Sequence, residues 1–123
     1  MQWHALTNIT RPEAGEIHAD VHVPQDSDWF CGHFPGQPVL PGIAQLAMVF
    51  DAIHQASGQS LKITGVSRIR FKQLIKPDDR LRVFATARGK KAGAFSFRIM
   101  VADELVCSGI ITVENRDKPG EPS

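Results

Sequence analysis

The residues best placed to do chemistry lie in the run GHFPGQPVLPG, positions 32–42. His33 heads it, and an imidazole, with an ordinary pKa of about 6.5, is the side chain best suited to take up a proton near neutral pH. Gly42 closes the run where an apolar, helix-periodic stretch begins. A helix starting there offers unpaired backbone N–H groups and the positive end of its dipole. A thioester carbonyl oxygen set against such an N–H would have its enolate-like charge stabilised as a proton leaves the α-carbon. Glycine at position 42 leaves room for that approach. The plainer alternative is a histidine whose ring is hydrogen-bonded to loop backbone and does no chemistry.

Those residues need a scaffold, and the flanking sequence outlines one. Residues 24–42 hold four prolines and three glycines with Trp29, Phe30 and Phe34 among them. That composition predicts an ordered loop and excludes a helix or strand interior. Residues 43–57 place Ile43, Leu46, Ala47, Phe50, Ile53 and His54 at three- and four-residue spacing, predicting one long helix with Pro41 at its entry and Gly58 at its stop. Before the loop, residues 3–10 and 15–23 read as strands. The second alternates Ile17, Ala19, Val21 and Val23 with Glu16, His18, Asp20 and His22, so both histidines fall on its solvated face. After the helix come strands at 61–73, 80–88, 94–101 and 104–113, with Gly65 suggesting a bend in the first and Ala102-Asp103 joining the last two. One helix and about six strands point to an α+β domain, an antiparallel sheet wrapped around a buried helix. The expected limits are a single domain over 1–113 and a polar tail over 114–123.

Bulk composition narrows the function classes. The 123 residues suit one domain with a core of its own, and a net charge of +1 calls for neither nucleic acid nor an anionic membrane as partner. Cys31 and Cys107 form no CxxC pair and fit two reduced thiols of a reducing compartment. No run has the length of a signal peptide or a membrane span, which leads to the expectation of a soluble cytoplasmic protein. No metal-ligand cluster, phosphate-binding glycine loop or aromatic–basic nucleic-acid surface is visible, so neither a metal nor another cofactor is expected.

GHFPGQPVLPG resembles the signature loop of the (3R)-hydroxyacyl-acyl carrier protein dehydratases, GHFPGxPxMPG. DSDWFCGHFPG is similar to the family's segment before the histidine. RIRFKQLIKPDDRL at 68–81 resembles its RFxxPVxPGDxL strand–turn–strand, and ELVCSGIITV its last strand. The family's HRYPFLLVD opening has no counterpart. The resemblance implies the hot-dog fold, with the long helix enclosed by the sheet. It implies a homodimer, or a trimer of dimers, with an acyl tunnel at the subunit interface. It also implies His33 as catalytic base, the Gly42 amide as carbonyl polariser, and acyl carrier protein or coenzyme A thioesters as partners. Phe34, Val39, Leu40, Pro41, Ala47 and Phe71 are the expected tunnel lining, although each aromatic or aliphatic side chain would equally serve as plain core.

The departure from the family falls on the helix. Fourteen residues after the histidine the family carries a catalytic Glu or Asp, and this chain carries Ala47. Asp51 is the next position along that face, one turn of about 5 Å further. It is either the substitute acid or a structural residue that needs a partner in an apolar setting. Gln45, two residues from Ala47, points nearly the opposite way. Three readings are open: a dehydratase of 3-hydroxyacyl thioesters; a non-catalytic protein that binds the acyl group or its carrier, or supports an active partner; or a hot-dog acyl thioesterase. Arg68, Arg70 and Lys72, spaced two apart, are expected on one strand face, where they either dock an acidic carrier protein or form a solvated surface.

Overall fold

The computed structural model describes residues 4–23, 42–76, 79–89 and 93–116. Their chain order is β1 (Ala5–Thr10), β2 (Glu16–His22), α1 (Gly42–Ser57), β3 (Leu61–Phe71), β4 (Arg80–Ala87), β5 (Ala94–Val101) and β6 (Glu104–Asn115). The strands form one antiparallel sheet in the order β1-β2-β4-β5-β6-β3. The connection carrying α1 separates β2 from β3, so β1 and β3 end up on opposite edges. α1 lies across the inner face, against β2 and β4 and touching β1 and β3. This is the expected α+β hot-dog arrangement.

Alternation along each strand turns one row of apolar side chains inward. The register aligns these rows across the sheet. Ile17 faces Ala85, which faces Phe97, which faces Gly109, and beside them run Ala19, Val83, Ile99 and Cys107. Large and small residues alternate along the first row, and the absent side chain at Gly109 makes space for the Phe97 ring. Every other member of both rows is buried, and each fully buried Val, Ile or Phe contributes about 1.5–3 kcal/mol.

The helix covers this core with a different face from the one the sequence periodicity suggests. Ala44, Gln45, Met48, Val49, Ala52 and Ile53 are buried. Ile43 is 71% exposed, and Leu46, Ala47, Phe50 and His54 are half-buried. Ala44 and Ala52 share the buried face with Met48, Val49 and Ile53, while Leu46 and Phe50 pack against the core from its margin. Gly58 (φ 69°) ends the helix as expected, with the Ser57 hydroxyl donating to His54 O at 2.9 Å.

Several strand limits differ from the sequence reading, most instructively the ends of β3 and β6. β3 stops at Phe71, because Lys72 N and Gln73 N both turn to Val106 O, at 2.8 and 3.4 Å. β6 continues two residues past Val113, because Glu114 and Asn115 pair with Lys62 and Leu61. No helix of the described residues is long and apolar enough to cross a membrane.

Candidate functional site

α1 begins at Gly42 and has no acidic side chain in its first turn, so no carboxylate of the helix offsets the positive end of its dipole. Phe71, the last residue of β3, lies across this start. A β-carbon at position 42 would sit 2.7 Å from Phe71 Cζ and 3.1 Å from Cε1, so glycine is the residue that fits beneath the ring. Phe71 pairs with Cys107, and the Lys72 and Gln73 amides clamp the following chain to Val106. The ring is 53% exposed, with Ile43 and Leu74 also exposed nearby in sequence. Helix start, bare glycine and aromatic ring therefore come together at one end of α1. His33, Phe34, Val39, Leu40 and Pro41 lie outside the described residues.

Ala47 follows on the exposed side of α1, half-buried. Asp51, one turn on, has the partner its setting requires. His4 Nε2 stands 3.0 Å from Asp51 Oδ2, and Gln55 Nε2 donates to Oδ1 at 3.2 Å. The His4 side chain is 11% exposed and that of Asp51 33%. No motif in the sequence singles out His4. Only tertiary folding brings it to Asp51, across 47 positions of chain, so no local motif could have announced the pair. Gln45 is buried on the opposite side of the helix, as its spacing from Ala47 requires.

Arg68, Arg70 and Lys72 are all exposed, but they do not share one strand face. Ser67 pairs with Ile110 and Arg70 with Ser108, so Arg68 and Ile69 together oppose Gly109. Arg68 takes φ 55° at this bulge. The extra residue breaks the alternation that would align Arg68 with Arg70. Lys72 lies beyond the end of β3. Cys107 is a free, buried thiol whose pKa is pushed up to about 11 by burial, which makes it a poor nucleophile. Among the described residues no group of three or more His, Cys, Asp or Glu side chains could hold a metal ion.

Residues 9–110 match the model of the ApeI-like family, described as ApeI dehydratase. The 3-hydroxyacyl-[acyl-carrier-protein] dehydratase FabZ of Shewanella woodyi is 32% identical over 114 residues, covering 82% of this chain and 74% of that protein. Among solved structures, the dehydratase heterocomplex ApeI:P from Xenorhabdus doucetiae superposes with a TM-score of 0.78 at 25% identity, over 89% of this chain and 96% of that one. A protein of uncharacterized function from Erwinia carotovora subsp. atroseptica gives a TM-score of 0.67 at 27% identity, over 93% and 95% of the two chains.

Proposed function

The chain belongs to the ApeI-like dehydratase family, and on that premise we propose that it removes water from a 3-hydroxyacyl thioester carried by acyl carrier protein or coenzyme A, in fatty-acid-type biosynthesis. The observation that carries this reading is the start of α1, where a glycine amide lies under the Phe71 ring with no acidic side chain in the first turn. The thioester carbonyl accepts a hydrogen bond from Gly42 N–H. His33 takes the proton from the α-carbon, and charge moving onto the carbonyl oxygen is stabilised by that N–H and by the helix dipole. The double bond forms as the 3-hydroxyl departs, and the proton it needs comes from the Asp51 end of the helix, because Ala47 has none to give. Phe34, Val39, Leu40, Pro41, Ala47 and Phe71 line the acyl path. Arg68, Arg70 and Lys72 meet the carrier. The FabZ relatives, described as 3-hydroxyacyl-[acyl-carrier-protein] dehydratases, support this substrate class.

Assembly follows from the β3 edge. Ile63, Val66 and Phe71 are exposed on a strand with no neighbour beyond it among the described residues. A second copy pairing there would cover them and extend the sheet into a homodimer, the unit from which a trimer of dimers is built. The proposed location is the cytoplasm. Ala47 favours one second reading, a non-catalytic subunit that binds the acyl group or its carrier and supports an active partner. The heterocomplex described for the Xenorhabdus doucetiae structure fits that reading.

Hydration of a trans-2-enoyl thioester, followed by loss of enoyl absorbance, tests the proposal. The wild type is expected to turn over, and His33→Ala to lose about 10²–10⁴-fold in kcat. No turnover with either carrier's thioester would leave the non-catalytic reading in its place.

A further inference from the structure

The sheet outruns the helix. α1 ends at Ser57, and the inward rows of the strands continue past it. Ala87 extends the row of Leu81, Val83 and Ala85 on β4. Phe95 extends that of Phe97 and Ile99 on β5, and Val113 follows Ile111 on β6. With Ile17, Ile53 and Leu61 these side chains line a cavity of about 420 Å³ between the end of the helix and the sheet. Small-molecule pockets span roughly 300–1,000 Å³. Its floor is core, since Ile17 and Ile53 are buried, and its mouth is open, since Ala87 is exposed and Phe95 half-buried.

Two glycines keep that mouth clear. Gly15 and Gly93 also line the cavity, and both take φ 80°. Gly15 O accepts from Ala87 N at 2.7 Å and Gly93 O from Val113 N at 2.8 Å, which fixes the backbone of the rim. A β-carbon at Gly93 would collide with Val113 O, so that position excludes a side chain. The charged groups of the rim are Glu114 and Arg11. Glu114 Oε1 meets Lys62 Nζ at 3.5 Å. Arg11 Nη1 donates to Ala56 O at 3.4 Å, and Arg11 forms no ion pair among the described residues. A guanidinium presents five N–H donors in a fork that fits a carboxylate, a stronger acceptor than a carbonyl at that distance. Its charge also offsets the negative end of the α1 dipole, which would otherwise repel an anion.

We propose that the cavity at the C-terminal end of α1, apolar inside with Arg11 at its rim, binds a fatty acid, chain inward and carboxylate on the guanidinium. Exposed ion pairs are worth little, so the buried chain supplies the affinity and Arg11 sets the orientation. The site lies roughly 20 Å along the helix from Gly42. Met48, Val49 and Ala52, all fully buried, stand between the two. It is therefore separate from the acyl path proposed above and does not depend on dehydration.

The test titrates the full chain with hexanoate, octanoate and decanoate below their micellar concentrations, by calorimetry and by backbone amide chemical shifts. Each added CH₂ is expected to tighten binding about fourfold, with shifts at Gly15, Gly93 and Val113 and none at Gly42. Ala87→Met puts a flexible apolar side chain into the mouth from an exposed position. It is expected to weaken decanoate about tenfold or more, the loss of roughly two buried CH₂ groups, with Tm within about 2 °C of wild type. Arg11→Gln should weaken decanoate about twofold to fivefold and leave decanol unchanged. Undiminished decanoate binding in Ala87→Met would overturn the site, as would no binding of decanoate to the wild type. Shifts confined to Gly42 and its neighbours would overturn it too, by assigning the ligand to the acyl path. Equal responses of decanoate and decanol to Arg11→Gln would strike the carboxylate from the proposal.

Discussion

The two edges of the sheet end the same structure in opposite ways. β1 presents Thr7, Asn8 and Thr10 to solvent, and its register shifts between Thr7 and Thr10, where Asn8 takes φ 50°. Asn8 Nδ2 donates to Asp20 Oδ2 at 2.9 Å, and Arg82 Nε donates to Asp20 Oδ1 at 3.2 Å, so polar contacts tie this edge to its neighbours. β3 is also irregular, with register shifts on both sides of Val66, yet it exposes Ile63, Val66 and Phe71. A bulge twists an edge away from indiscriminate pairing. Both edges have that protection, and only one adds apolar side chains. β1 is finished for water, whereas β3 leaves apolar side chains uncovered, as the proposed pairing with a second copy requires.

The strongest way to break this contrast is charge on each edge in turn. Val66→Lys is expected to weaken self-association by at least about 100-fold, read by sedimentation velocity, while Thr7→Lys leaves the mass unchanged. Equal responses would abolish the distinction. A sharper probe lies where β3 crosses β6. A β-carbon at Gly109 would meet Ile69 Cδ1 at 2.5 Å and Phe97 Cζ at 3.0 Å. Gly109→Ala should therefore cost about 1–3 kcal/mol in urea unfolding, because the Phe97 ring is fixed in the core. The smallest effect belongs to the polar edge. The Asn8 hydrogen bond, and after it Arg82, hold the Asp20 carboxyl below its ordinary range, with burial opposing them. Its stabilising contribution is full above the ordinary aspartate pKa of 3.8 and fades as pH falls below it. Asp20→Asn should flatten the acid limb of stability against pH, and at neutral pH it should cost less than about 1 kcal/mol, because Arg82 and Asp20 are both solvent-exposed.

What the sequence makes legible follows from how local each feature is. Period-two alternation located β2, β4 and β5 to within a residue or two, and the helix limits followed from Gly42 and Gly58. Gly65 marked the first irregularity of β3. The second falls at Arg68, where no glycine announces a positive φ, and it undid the expected alignment of the three basic residues. The helix face was misjudged for a related reason. Three- and four-residue spacing fits more than one face of a helix this apolar, and the buried face centres on Met48, Val49 and Ala52 with Ile53 at its side. Of the site, the sequence announced a helix start at Gly42, but neither the Phe71 ring over it nor the His4–Asp51 contact, because both depend on tertiary folding and no local motif signals them.

The Phe71 ring occupies the volume that a side chain at position 42 would need. The two positions are therefore coupled through the orientation of an exposed ring. Enlarging residue 42 by even one methyl group forces either a displaced ring or a smaller residue at 71, and trimming the ring uncovers the helix start. Substitutions there should be inherited as a pair, so covariation of 42 with 71 among relatives would record this contact without a single measurement on the protein.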